Sequence, residues 1–229
     1  MGEMIQLRAV DGFAFGAYAC RPEGTPRGAV VVIQEIFGVN SHIRNVARGY
    51  AQAGYYAIAP ALFDRAERDV ELGYEPHDMT RGVGLARGKC KREHLIADLQ
   101  ATVDHAATFG TVGVVGYCFG GMLTWVAAAQ VKGVAAASSY YGGGVAAEVA
   151  LQPKCPVIMH FGERDAHIPM TQVEQVRAAH PGVPVHVYAA DHGFNCDHRG
   201  SYDAAAASLA LERTLALFAE HVAAGPARA

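Results

Sequence analysis

Cys118, Asp165 and His192 are the residues of this 229-residue chain whose types and order could do chemistry. Cys118 lies in Gly116-Tyr117-Cys118-Phe119-Gly120-Gly121, directly after the valine-rich run at 112–115. The run reads as a strand buried on both faces. The Ala-rich stretch Met122–Gln130 reads as a helix. A sharp strand-to-helix turn that carries a thiol between glycines is a nucleophile elbow, here Gly-x-Cys-x-Gly. Flanking glycines are needed because a side chain there would collide with the neighbouring strand or helix. The following helix aims its N-terminus at the thiol, which favours a thiolate and a developing oxyanion. The competing reading is a tight turn around an inert buried cysteine. The two readings part on whether the chain supplies a base and an acid.

His192 follows the apolar run Val183–Tyr188 and precedes Gly193. There are eleven histidines, so a histidine near a strand end means little alone; its order after a nucleophile and an acid gives it weight. Asp165 follows the run Pro156–Phe161 and is the candidate to hold the imidazole tautomer. Glu163 and Asp191 are its rivals, but Asp191 adjoins His192, and neighbouring side chains point apart. His192, Cys196, Asp197 and His198 match no common zinc spacing, so no metal is expected there. Glu35, directly after the apolar run Ala29–Ile33, is a carboxylate that burial would penalise unless it is paired or neutral. The order nucleophile, acid, histidine is that of the α/β-hydrolase fold.

These residues need a scaffold that brings strand ends together. The chain alternates short apolar runs with helical spacing. Runs fall at Ala29–Ile33, Tyr55–Ala59, Val112–Gly116, Val131–Tyr141, Pro156–Phe161 and Val183–Tyr188. Helices are expected at Ser41–Ala53, Lys91–Thr108, Met122–Gln130, Met170–His180 and Ser201–Val222. This alternation predicts a mostly parallel sheet with helices on both faces. Ile5–Val10 and Phe13–Ala19, joined by Asp11-Gly12, predict an N-terminal antiparallel hairpin. Residues 62–88 are polar and irregular, the pattern of a lid or substrate loop. The tail at 225–229 is expected to fray. No repeat or composition break divides the chain, so one domain over 1–229 is expected.

Composition narrows the function. A hydrophobic fraction of 51% and a charged fraction of 18% describe a chain with a large core. A net charge of -3 without a basic cluster argues against nucleic acid. Met1-Gly2-Glu3-Met4 places an acid where a signal peptide carries a basic region, and no apolar run approaches a membrane span. Five scattered cysteines suit a reducing cytoplasm. The expected partner is a small molecule, with no cofactor, and the chain is expected to act as a monomer or small homo-oligomer.

Several segments together resemble the dienelactone hydrolase family, the cysteine-dependent branch of the α/β hydrolases. They are Gln34-Glu35-Ile36-Phe37-Gly38-Val39-Asn40, Gly116–Gly121, Tyr140-Tyr141-Gly142, His192-Gly193-Phe194 and Glu212-Arg213-Thr214-Leu215. The resemblance implies a Cys118–His192–Asp165 triad and an oxyanion hole from the backbone N–H groups of Ile36 and Phe119. It implies that Glu35 contacts the thiol and holds it inactive until substrate binds. It also implies hydrolysis of dienelactone (a carboxymethylenebutenolide) to maleylacetate. Phe37 and Tyr141 become candidate substrate contacts. The family's members hold the substrate carboxylate with two arginines. Arg81 is the candidate for one, although a gapless match places Thr80 there. The other is expected four residues after the histidine, where this chain has Cys196; Arg199 stands three residues further on. Other readings are a carboxylesterase or thioesterase with the same triad, and a thiol-sensing protein without turnover.

Overall fold

The computed structural model describes residues 2–224; the expected fraying at 225–229 lies outside them. Eight strands form one sheet: β1 (Gly2–Arg8), β2 (Ala14–Cys20), β3 (Ala29–Ile33), β4 (Tyr56–Pro60), β5 (Val112–Tyr117), β6 (Val134–Tyr140), β7 (Val157–Gly162) and β8 (Val185–Tyr188). Their order is β1-β2-β4-β3-β5-β6-β7-β8. β1 and β2 form the expected antiparallel hairpin, β2 also pairs antiparallel with β4, and every later pairing is parallel. β3, β4 and β5 are buried at every position. That explains why their sequences run as unbroken apolar stretches instead of alternating.

The described residues form six α-helices, all but the second packed on the sheet: α1 (Ser41–Gln52), α2 (Pro76–Val83), α3 (Arg92–Ala106), α4 (Phe119–Gln130), α5 (Met170–Ala179) and α6 (Ala204–His221). Caps set the start of two of them. The Asn40 side chain accepts from the Ile43 N–H at 3.2 Å, and Asp203 accepts from Ala206 N–H at 2.9 Å. The Asp203 cap is why α6 begins at 204 rather than 201. Two apolar clusters fill the two faces of the sheet. A third, with Ile36, Phe37, Phe63, Leu72 and Leu85, packs the 62–88 segment onto the loop after β3. That segment is therefore more ordered than its polarity suggests: it holds α2 and a π-helical turn over Gly84–Lys89. Pro76 opens α2 at its first turn, where the missing N–H costs nothing.

Register aligns the strand ends that matter. Ile33 pairs with Gly116, Tyr117 with Tyr140, Tyr140 with His160, and Gly162 with Tyr188. The residues just beyond these pairs meet at one edge, where ligands collect in open α/β sheets. The elbow tolerates no bulk there. A Cβ on Gly116 would lie 2.1 Å from the Gly120 carbonyl oxygen, and one on Gly120 would lie 2.4 Å from that of Ile33. Gly120→Ala is therefore expected to destabilise by about 3 kcal/mol or more, the upper range for overpacking against rigid backbone. Urea unfolding measures this, and a loss below about 0.5 kcal/mol would mean that the strand and helix separate easily.

Candidate active site

Cys118 occupies the tip between β5 and α4 with φ +56° and ψ −113°, a left-handed conformation costly for a residue with a side chain. Its N–H donates to the Tyr140 carbonyl at 3.0 Å, while its own carbonyl accepts from Gly121 at 2.9 Å and Met122 at 3.2 Å. These bonds hold the strained turn. α4 starts three residues earlier than composition suggests, which puts its N-terminus against the thiol.

His192 reaches across from the loop after β8. Its Nε2 lies 3.2 Å from Cys118 Sγ, and its Nδ1 lies 2.6 Å from Asp165 Oδ2. Asp165 is buried, and its other oxygen accepts from the His167 N–H at 2.8 Å and the Ile168 N–H at 3.1 Å. The carboxylate is pinned with one oxygen free for the imidazole. Of its two rivals, Asp191 is exposed and lies 3.9 Å from Arg164, and Glu163 is exposed as well. Burial alone would lower the His192 pKa; the hydrogen bonds to Asp165 and Cys118 and the attraction of both outweigh it and raise it to about 10. The imidazole is thus cationic around neutrality.

A cavity of about 730 Å³ opens onto this cluster. Cys118, His192, Ile36 and Phe119 form one wall, and Phe37, Met79, Val83 and Met122 supply apolar surface. Gln172 and Gln175 face it from α5, and His167 lies beside His192 with ring centroids 5.1 Å apart. Two guanidinium-bearing residues line it, Arg87 and Arg199. Arg87 lies in the π-helical turn, inside the segment whose irregular sequence hid it. The Arg199 side chain packs against Gly193, whose φ of +78° and missing Cβ leave room for it.

Three expectations need correction. Arg81 does not line the cavity: its side chain is 52% exposed and pairs with Glu67 on the outer face of α2. The helix turns Arg81 outward and Met79 and Val83 inward, an orientation that a loop reading could not supply. Tyr141 is fully buried behind the wall, with its ring centroid 5.1 Å from that of His192, so it supports the histidine instead of lining the cavity. Glu35 makes no hydrogen bond to the thiol, and neither of its buried oxygens has a hydrogen-bond partner. His192 already holds Cys118, and the nearest cation to Glu35 is Arg199, whose Nη1 is 3.8 Å from Oε1. Cys196, at the position expected to carry an arginine, is buried beside Glu35 and outside the cavity lining.

A mostly parallel sheet with a cysteine elbow, followed along the chain by an acid and then a histidine, defines an α/β hydrolase. The dienelactone hydrolase family model matches residues 15–222, and the chain belongs to that family. It is 34% identical to the carboxymethylenebutenolidase of Pseudomonas putida, over 93% of this chain and 94% of that one. It is 37% identical to a Synechocystis protein named "Putative carboxymethylenebutenolidase", over 82% of this chain and 84% of the relative. The solved Klebsiella pneumoniae structure named "Putative Dienelactone Hydrolase" superposes with a TM-score of 0.80 at 33% identity, covering 96% of this chain and all of that one. The chain is a hydrolase of ester and lactone bonds. No helix among the described residues is long and apolar enough to cross a membrane.

Proposed function

We propose that this chain opens small anionic lactones of the dienelactone type, giving maleylacetate from carboxymethylenebutenolide, through a thioester on Cys118. The observation that carries the proposal is the Cys118–His192–Asp165 chain of contacts opening onto an otherwise largely apolar cavity with two arginines. The Cys118 thiolate attacks the lactone carbonyl, and the Ile36 and Phe119 backbone N–H groups receive the oxyanion. The ring C–O bond breaks as the leaving oxygen takes the Nε2 proton of His192. Water then gives a proton back to Nε2, attacks the thioester and releases the acid. Asp165 keeps Nδ1 protonated throughout. Because the thiol–imidazole contact already exists, this route needs no displacement of Glu35 from the thiol.

The substrate carboxylate falls to Arg87 and Arg199, taking the place proposed from sequence for Arg81. A charged hydrogen bond is worth roughly 1.5–3 kcal/mol, or about ten- to a hundredfold in affinity. Arg87→Ala is expected to raise KM for dienelactone by that factor and to leave kcat and a neutral ester nearly unchanged, because the contact binds ground and transition states alike. Arg81→Ala is the control and should change neither. An equal loss on both substrates would make Arg87 a structural residue.

A second reading, a carboxylesterase or thioesterase on a larger acyl group, is favoured by cavity size, since about 730 Å³ is in the range of drug-sized ligands. Steady-state turnover of dienelactone, a neutral lactone and esters of increasing chain length decides between them. Hydrolysis of none, with Cys118 still open to alkylation, would overturn both in favour of a thiol sensor. Five free cysteines support a reducing cytoplasm as the setting. We read the chain as one catalytic domain acting as a monomer or small homo-oligomer, which sedimentation tests.

A further inference from the structure

Behind the wall that carries Cys118, three side chains converge from separate segments. Glu35 comes from the loop after β3, His42 from the first turn of α1, and Cys196 from the loop after His192. One ligand atom from each, a carboxylate oxygen, an imidazole nitrogen and a sulfur, lies within 4.8 Å of the others. The residues are 0%, 2% and 0% exposed. Both Glu35 oxygens and His42 Nε2 have no hydrogen-bond partner. Buried groups left in this way are costly, and each such group calls for an explanation.

We infer that Glu35, His42 and Cys196 form a binding site for a divalent transition metal, with Zn²⁺ the best match. One cysteine sulfur, which loses its proton to solvent as the metal binds, one imidazole and one carboxylate make a mixed donor set that suits this borderline-soft ion. The two anionic ligands together neutralise its charge. The second layer fits as well: His42 Nδ1 lies 3.1 Å from Asp197 Oδ1, and a carboxylate on the far nitrogen orients Nε2 toward a metal. Tetrahedral zinc holds such ligand atoms about 3.3–3.6 Å apart, so side-chain rotations that close the present spacing complete the site. Water supplies the fourth ligand. The Tyr74 hydroxyl accepts from Asn40 Nδ2 at 3.1 Å. Arg199, which lines the cavity, stands 3.8 Å from Glu35. The metal takes over from Arg199 as the counter-ion of Glu35. The ligands are scattered at 35, 42 and 196, which is why no zinc spacing shows in the sequence.

The test uses the full chain, stripped with a chelator and titrated with Zn²⁺ by calorimetry and with Co²⁺ by absorption. Wild type and Cys118→Ala should both bind one equivalent, with a thiolate-to-cobalt charge-transfer band and a rise in Tm. Cys118→Ala removes the other thiol–imidazole pair that could hold a metal. Cys196→Ser, His42→Ala and Glu35→Gln should each weaken binding at least tenfold, and Cys196→Ser should abolish the band. Glu35→Gln keeps the side chain's size and decides the matter if another variant fails to fold. A site lost in Cys118→Ala but kept in Cys196→Ser would place the metal on Cys118 and His192 and overturn the inference. So would the absence of stoichiometric binding to wild type at micromolar Zn²⁺.

Discussion

His192→Ala is expected to lower kcat/KM by on the order of 10⁴-fold or more, the scale of triad removal elsewhere. The imidazole serves three steps: it stabilises the thiolate, protonates the leaving oxygen and activates water. No neighbour is placed to replace it. His167 is nearest in the cavity, but its ring approaches the His192 ring, and it is the His167 backbone N–H, not its imidazole, that bonds Asp165. Alkylation of Cys118 near neutral pH should slow along with turnover, because the thiolate loses its cation. A variant that keeps more than about a tenth of wild-type turnover would move the base to His167.

The same pair leaves a mark on stability. The folded pKa of His192 is raised from the ordinary imidazole value of about 6.5 to about 10. The protonated form is therefore favoured by folding. Its contribution is fully present below the unfolded value and disappears as pH climbs through the folded one. Urea midpoints of wild type should fall between pH 7 and pH 10, and His192→Ala should flatten that decline.

How much of this was legible in the sequence depended on the range of the interaction. The buried strands announce themselves because parallel strands carry apolar residues on both faces, and Ala29–Ile33 was bounded to the residue. The elbow was legible because its glycines answer a local steric demand. Asp165 and His192 were reachable because chain order along a sheet predicts which loops meet. The lid was not. Pro76 and Asp78 mark a helix start, but the apolar partners that fold 62–88 are Ile36 and Phe37, far off in sequence. Without the helix, Arg81 and Arg87 could not be sorted into outward and inward faces. The position of Glu35 was equally hidden, since it turns on Arg199 and His42 rather than on its neighbours.

Cys118→Ser should retain the fold and lose about 10²–10⁴-fold in kcat/KM, the range in which acid–base assistance is worth its full effect. The elbow accepts either nucleophile sterically, since Gly-x-Ser-x-Gly is the commoner form. The difference lies in proton affinity. A thiol gives up its proton far more readily than an alcohol, and the His192 imidazole, raised to about 10, lies beside it to take the charge. An alcohol keeps its proton beside that imidazole and must lose it during attack. Loss of the thiolate also removes one of the attractions that hold His192 protonated. The shorter C–O bond draws the oxygen back from Nε2, widening a contact of 3.2 Å that suits sulfur. Burst kinetics with an activated ester separate the steps. The acylation rate should collapse in the serine variant, and KM for dienelactone should change little, because Arg87 and Arg199 are untouched. A serine variant within tenfold of wild type in acylation would show that the site is tuned as a general-base elbow, with no standing thiolate–imidazolium pair.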